Sequence, residues 1–401
     1  MGTAISMWRY GTLVAILWTC LAASSVSCDG GGRDAHTVKQ VLGQEYENAK
    51  CLDGTPGAYY ANVNTKANGT WVIYLNGGGE CVDENQCAAR AKTKLGSSKL
   101  MDDELWMNYG VLDTNESTNP QFYEANFVRI GYCSGDLYLG SRQEPDDSGL
   151  LFQGRFIVHG VLDDLQNKYG FLDSADTIVF GGESAGGIGS LALMDEVASS
   201  LRLMGSKARF FGSIQGGYYF LNDRVYEGTH PKPGNYIPWG TDAFPKYVEY
   251  WGAEDGLPKA CVDANPQEPW RCIVADFSFP HVETPVFVAE ALTDKTVLPL
   301  HTGMPGTPPL TQDEREYTYY WSMEMSTSIQ RNVLRRPAGP GLFAIACWTH
   351  TSFEEGRMIK QTTHLDALSR WMAGEDVRLL DPCGTMLCNP TCPPTTSRPE
   401  H

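Results

Sequence analysis

Thr177-Ile178-Val179-Phe180-Gly181-Gly182-Glu183-Ser184-Ala185-Gly186-Gly187 decides how this chain is read. A short apolar run closed by glycines predicts a strand buried on both faces. Beyond Gly187, the residues Leu191, Met194, Val197, Leu201 and Leu203 recur at helical spacing as far as Met204. Strand, sharp turn and amphipathic helix in that order make a nucleophile elbow, which exposes a serine on a strained turn. Ser184 is the only serine in the chain with glycine two residues to either side. Those flanking positions must be small, because larger residues would clash across the turn. The helix start also aims N–H groups at the site, which favours developing negative charge.

Further apolar runs lie on either side of the elbow. Trp71–Leu75 ends at Asn76-Gly77-Gly78-Gly79, and Phe127–Ile130 ends at Gly131. Pro285–Ala289 and Phe343–Cys347 follow the elbow. Between them, Phe156–Lys168 and Glu354–Met372 carry apolar residues at helical spacing. Alternating strands and helices predict an α/β fold, with a mostly parallel central sheet and helices on both faces. The stretch 219–280, rich in Trp, Tyr, Pro and Gly, reads as an insertion that shapes or covers the site.

A serine hydroxyl needs a base, and the base needs an orienting acid. In elbow enzymes these follow the serine in the order acid, then histidine, each at a strand end. Asp294 fits the acid, after Glu290-Ala291-Leu292-Thr293, with Glu290 as the alternative. His350 fits the base, at loop distance from Phe343–Cys347. His281 and His301 read as turn or packing residues, and His364 falls inside the 354–372 helix. For the oxyanion, the Ala185 N–H follows the nucleophile directly, and Gly77-Gly78-Gly79 is a glycine loop of the kind that supplies further donors. Gly131-Tyr132-Cys133-Ser134-Gly135 repeats the elbow spacing with cysteine at its centre, but no helical pattern follows it, and a disulfide is the expected use of Cys133.

Composition sets the compartment. Residues 1–27 carry Arg9, the apolar stretch Thr12–Ala22 and a small-residue run, the pattern of a signal peptide. The stretch is short for a membrane span, so a cleaved signal and a secreted protein are expected. Of twelve cysteines, losing Cys20 with the signal leaves eleven, an odd number. Cys383, Cys388 and Cys392 lack a fourth ligand at zinc spacing, so disulfides are expected and no metal. Asn68 and Asn115 head glycosylation sequons. A net charge of −17 argues against a nucleic-acid partner. One domain over 28–393, acting as a monomer, and a disordered tail at 394–401 complete the expected organisation.

Taken together these residues resemble the pectin acetylesterase/Notum family of carboxylesterases. The likeness runs in order through Cys51-Leu52-Asp53-Gly54-Thr55-Pro56-Gly57, Asn76-Gly77-Gly78-Gly79-Glu80-Cys81 and Tyr132-Cys133-Ser134-Gly135-Asp136. It continues through Gly182–Gly187, Leu292-Thr293-Asp294, Cys347-Trp348-Thr349-His350 and Cys388-Asn389-Pro390-Thr391-Cys392-Pro393. The resemblance implies an α/β-hydrolase-like fold, a Ser184–Asp294–His350 triad, and oxyanion donors at Gly78, Gly79 and Ala185. It also implies the disulfides Cys51–Cys133 and Cys81–Cys87, and no cofactor. The implied activity is ester hydrolysis, with acetyl groups on a cell-wall polysaccharide such as pectin first. Notum-like removal of a lipid acyl group from a secreted protein is the alternative, and a catalytically silent binding protein on the same fold is a third reading. Family members commonly carry tryptophan beside the early glycines, where this chain has Gly79-Glu80. An acidic residue there is suited to a polar or cationic substrate.

Overall fold

The computed structural model describes residues 34–64, 69–228, 231–305, 308–336, 339–354, 356–382 and 387–393. The signal segment 1–27, Asn68 and the tail 394–401 lie outside them. Among the described residues the strands are β1 (His36–Val41), β2 (Ala58–Asn62), β3 (Thr70–Leu75), β4 (Glu104–Trp106), β5 (Asn126–Ile130), β6 (Thr177–Glu183), β7 (Arg209–Gln215), β8 (Val286–Asp294), β9 (Gly341–Thr349) and β10 (Arg378–Leu380). They form one sheet in the order β10-β9-β8-β7-β6-β3-β5-β2-β1-β4. From β10 to β5 every pairing is parallel. The edge β5-β2-β1-β4 is antiparallel.

The two-residue period of each strand divides its side chains between two cores. In β3, Trp71, Ile73 and Leu75 enter one core while Val72 and Tyr74 enter the other. In β9, Leu342, Ala344 and Ala346 enter the first, and Phe343, Ile345 and Cys347 the second. The first core is covered by the helices Gly154–Tyr169, Ala185–Leu203 and Gln312–Ile329. The second is covered by the helix His364–Met372 and by residues such as Met107, Leu112 and Phe122. Burial on both faces explains why the central strands read as continuous apolar runs.

Four disulfides join described cysteines: Cys51–Cys133, Cys81–Cys87, Cys261–Cys272 and Cys347–Cys392. Cys388 is disulfide-bonded as well. Cys133 is therefore not a free nucleophile. Its neighbour Asp136 is fully buried and accepts from Ser134 Oγ at 2.5 Å, Gly154 N at 2.9 Å and Tyr138 N at 3.0 Å. It thus caps the helix Gly154–Tyr169 at its first residue and ties it to the loop after β5.

Two expectations needed correction. The helix expected over 354–372 begins only at His364, where the Thr363 side chain accepts from Asp366 N. Lys360 and Gln361 stand at φ 50° and 64°, and Ile359 bridges Thr362, so a turn occupies the segment whose residues share the helical period. The second concerns the strand expected over 285–289: β8 runs on through Asp294, which is its last residue.

Removing the Asp136 carboxylate leaves three buried donors unanswered, which costs more than the net worth of the bonds. Asp136→Ala is expected to lower unfolding free energy by about 3 kcal/mol, read from chemical denaturation. A loss below about 1 kcal/mol would contradict this role.

Candidate active site

The parallel register pairs Leu75 with Gly182, Glu183 with Gln215, Gln215 with Ala289 and Asp294 with Thr349, so β8 and β9 run on past the carboxyl ends of β3, β6 and β7. A register shift between Ala291 and Thr293 sets that last pairing. The residues just past these ends therefore converge on one rim. That rim is where open α/β sheets hold ligands.

Ser184 joins β6 to the helix Ala185–Leu203 at φ 56° and ψ −125°, a left-handed conformation costly for a residue with a side chain. It persists because both backbone groups of Ser184 are held: Ser184 N donates to Gln215 O at 2.9 Å, and Ile188 N donates to Ser184 O at 3.0 Å. A Cβ on Gly186 would lie 2.1 Å from the Leu75 carbonyl oxygen, so only glycine lets the helix begin this close to β3. The flanking glycines read from sequence have this physical cause.

His350 lies one residue past β9. Its Nε2 is 2.8 Å from Ser184 Oγ and its Nδ1 is 2.6 Å from Asp294 Oδ2. The Asp294 carboxylate is fully buried, and its Oδ1 accepts from Thr296 N and Val297 N, each at 2.8 Å. The Tyr219 hydroxyl donates to Gly216 O at 2.6 Å and lies 3.2 Å from Asp294 Oδ2. A carboxylate can only accept, so His350 carries its proton on Nδ1 and leaves Nε2 to accept from Ser184. The alternative acid, Glu290, faces elsewhere: it accepts from Tyr218 N at 3.0 Å and Ala291 N at 2.9 Å. Burial, then the nearby Asp294 charge, holds its carboxyl well above the usual range.

Ala185 is the first residue of its helix, so its N–H has no acceptor within the helix. Opposite it runs the glycine loop, with Gly78 at φ 151° and Gly79 at φ 65°, values that glycine adopts at least cost. Gly78, Gly79 and Ala185 line the same cavity as Ser184 and His350, about 400 Å³ in volume.

The cavity wall held residues that sequence reading did not place. Trp239, from the 219–280 stretch, lines it together with Tyr219, Leu300 and His301. Glu80 does not offer its charge to the cleft. Its side chain is 1% exposed, and Oε1 accepts from Trp239 Nε1 at 2.9 Å. Burial pushes this carboxyl up to about 7, against the Trp239 hydrogen bond and the Arg90 charge. The His301 ring stacks on Trp239 with centroids 3.6 Å apart, and its Nδ1 donates to Ile237 O. Burial holds this imidazole down to about 3, so it is neutral at ordinary pH. A tryptophan thus stands beside the early glycines after all, brought there by the fold from residue 239. The signal for it was Glu80, an acid in an apolar site that needed a partner.

The remaining sequence candidates lie apart from this cluster. His364 is buried at its helix start, 3.2 Å from Glu354 Oε1. Asn115 is exposed in a turn. Among the described residues no group of His, Cys, Asp and Glu is arranged to hold a metal, and no helix is long and apolar enough to cross a membrane.

A family model described as Pectinacetylesterase matches residues 33–393. The palmitoleoyl-protein carboxylesterase notum1a of Danio rerio is 29% identical over 376 residues, covering 87% of this chain and 71% of that protein. Pectin acetylesterase 11 of Arabidopsis thaliana is 26% identical over 377 residues, covering 86% of this chain and 90% of that protein. A solved structure of the Wnt deacylase Notum from Drosophila superposes with a TM-score of 0.77 at 24% identity, covering 90% of this chain and 100% of that one, a likeness of fold. The chain belongs to the pectinacetylesterase family and is a carboxylic ester hydrolase on a Notum-like α/β-hydrolase fold.

Proposed function

We propose that this protein is a secreted serine esterase that removes short acyl groups, foremost O-acetyl esters of a cell-wall polysaccharide such as pectin. The observation that carries the reading is the unbroken hydrogen-bonded series from Ser184 Oγ through His350 to Asp294, opening into a cavity. His350 Nε2 takes the hydroxyl proton as Ser184 attacks the ester carbonyl. Asp294 holds the imidazole in the needed tautomer and stabilises its charged form. The N–H groups of Gly78, Gly79 and Ala185 receive the oxyanion. The leaving alcohol takes the proton from His350, and water repeats the sequence to free the acid and regenerate Ser184. The disulfides suit an oxidising compartment, in keeping with export by residues 1–27 and action as a monomer outside the cell.

The preference for a short acyl group rests on Trp239. Behind it lies an apolar nook lined by Leu137, Phe220, Phe244 and Ile273, of only about 10 Å³. That is room for about one water, so an acyl chain gains no added depth behind Trp239 and must stay within the cavity of about 400 Å³ at Ser184. Glu80 and His301 hold the indole as a wall between the two spaces. Initial rates on p-nitrophenyl esters of rising chain length, with acetylated pectin and acetylated xylan alongside, test this. Acetate is expected to be cleaved at least about 100-fold faster than decanoate, and Trp239→Ala to narrow the gap. A maximum at long chains in the unaltered protein would instead favour a lipid acyl substrate.

Ser184→Ala should abolish this hydrolysis, and Asp294→Asn should lower kcat by about 10⁴-fold by upsetting the tautomer. Unchanged hydrolysis in either would overturn the triad.

Glu80 adds a pH dependence. Its folded value near 7 lies above the ordinary 4.5, so between those values the native state holds a proton that the unfolded chain has released. The stability contributed by the neutral form is complete below about pH 4.5 and is lost as pH rises through about 7. Glu80→Gln keeps an acceptor for Trp239 without the charge. Its unfolding free energy relative to the unaltered protein should rise across that window and level off above it. A difference independent of pH would contradict a buried, protonatable Glu80.

A further inference from the structure

We propose that Arg90 is a positioning residue for the reaction, orienting and polarising the peptide that presents the Gly79 N–H to the oxyanion. The proposal rests on the triad reading above. Its basis is a set of bonds that neither the hydrophobic core nor surface charge requires.

Arg90 ends the short helix Glu84–Arg90, which Asp83 caps by accepting from Gln86 N at 2.9 Å. The Cys81–Cys87 disulfide folds this helix back on the loop that leaves β3. The guanidinium is thereby returned to the glycines. Its Nη2 donates to Gly78 O at 2.7 Å and to Gly79 O at 3.2 Å, its Nη1 to Glu80 O at 3.4 Å, and its Nε to Leu95 O at 3.2 Å. It also lies 5.2 Å from the centre of the Tyr132 ring. Among the described residues it forms no salt bridge, so backbone carbonyls rather than a carboxylate occupy its donors.

The consequence follows from peptide geometry. In a trans peptide the C=O and N–H point in opposite directions. Holding the Gly78 carbonyl on Arg90 turns the Gly79 N–H away from Arg90. The preceding peptide is held separately, because Asn76 Nδ2 donates to Gly77 O at 3.0 Å, which sets the Gly78 N–H. Asn76 Oδ1 in turn accepts from Arg129 Nε at 2.7 Å. Two arginines on two elements thus fix two successive peptides. Such support matters because Gly78 and Gly79 are the residues least able to hold a conformation by themselves. A cation on a carbonyl also draws electron density through the amide and strengthens its N–H as a donor.

A role confined to stability would lower the melting temperature and leave turnover of the folded protein intact. Positioning acts on the transition state, so it shows in kcat rather than KM. In the full chain, Arg90→Met is expected to lower kcat on p-nitrophenyl acetate by about 10- to 100-fold, with KM changed less than about threefold. Affinity for a trifluoromethyl ketone, which adds to the serine and forms the oxyanion, should fall by the same factor. Arg90→Lys keeps the charge and stem but cannot span Gly78, Glu80 and Leu95 together, and should give an intermediate kcat. It also decides the matter should Arg90→Met fail to fold, as melting curves of each variant will reveal. Folded Arg90 variants with unaltered kcat and ketone affinity, beside an inactive Ser184→Ala, would overturn the positioning role alone. An active Ser184→Ala would remove the triad reading beneath it.

Discussion

The reactive cleft depends on how closely the elbow helix approaches the end of β3. A Cβ on Gly186 would fall 2.1 Å from the Leu75 carbonyl oxygen, a contact that no side chain tolerates. This approach brings the strained Ser184 backbone over the sheet edge and sets the Ala185 N–H beside the glycine loop that continues β3. The parallel register then does the rest: Ala289 and Phe343 lie level with Glu183, and β8 and β9 run on past them to deliver Asp294 and His350. The strain at Ser184 is sustained by hydrogen bonds to Gln215 and Ile188 on either side.

Around this frame, the buried acids are held by partners. Asp294 answers three donors from its own turn and from His350. Glu80 is buried against Trp239, on whose indole the His301 ring is stacked. Nearby, Glu183 lies 3.7 Å from Arg129, and burial raises its carboxyl above the usual range despite that neighbour. The cleft thus joins one charged hydrogen-bonded series to a wall whose titratable groups, Glu80 and His301, are drawn towards their neutral forms. That arrangement concentrates polarity along Ser184, His350 and Asp294.

The sequence made the centre legible because its constraints are local. The elbow needs small residues at fixed offsets, and central strands need unbroken apolar runs, so β3, β5, β6, β8 and β9 stand out. β7 was missed because Arg209-Phe210-Phe211-Gly212-Ser213-Ile214-Gln215 mixes polar and apolar residues, and its place comes from pairing with β6 and β8. The helix Gln312–Ile329 escaped as well, since Asp313, Glu314, Arg315 and Glu316 mask its buried Trp321 and Met325. The opposite error arose at 354–363, where helical spacing gave way to a turn at Lys360 and Gln361. Trp239, His301 and Arg90 are far from Ser184 along the chain, and only tertiary contact reveals what they touch.

The central claim is that Ser184 is the group that becomes acylated, and covalent trapping tests it most directly. The full chain would be treated with a fluorophosphonate, digested, and mapped by peptide mass spectrometry. One adduct is predicted, on the peptide carrying Gly182-Glu183-Ser184-Ala185-Gly186, and none in His350→Ala over the same interval. An adduct on another residue, or no adduct in protein that still cleaves acetate esters, would contradict the account.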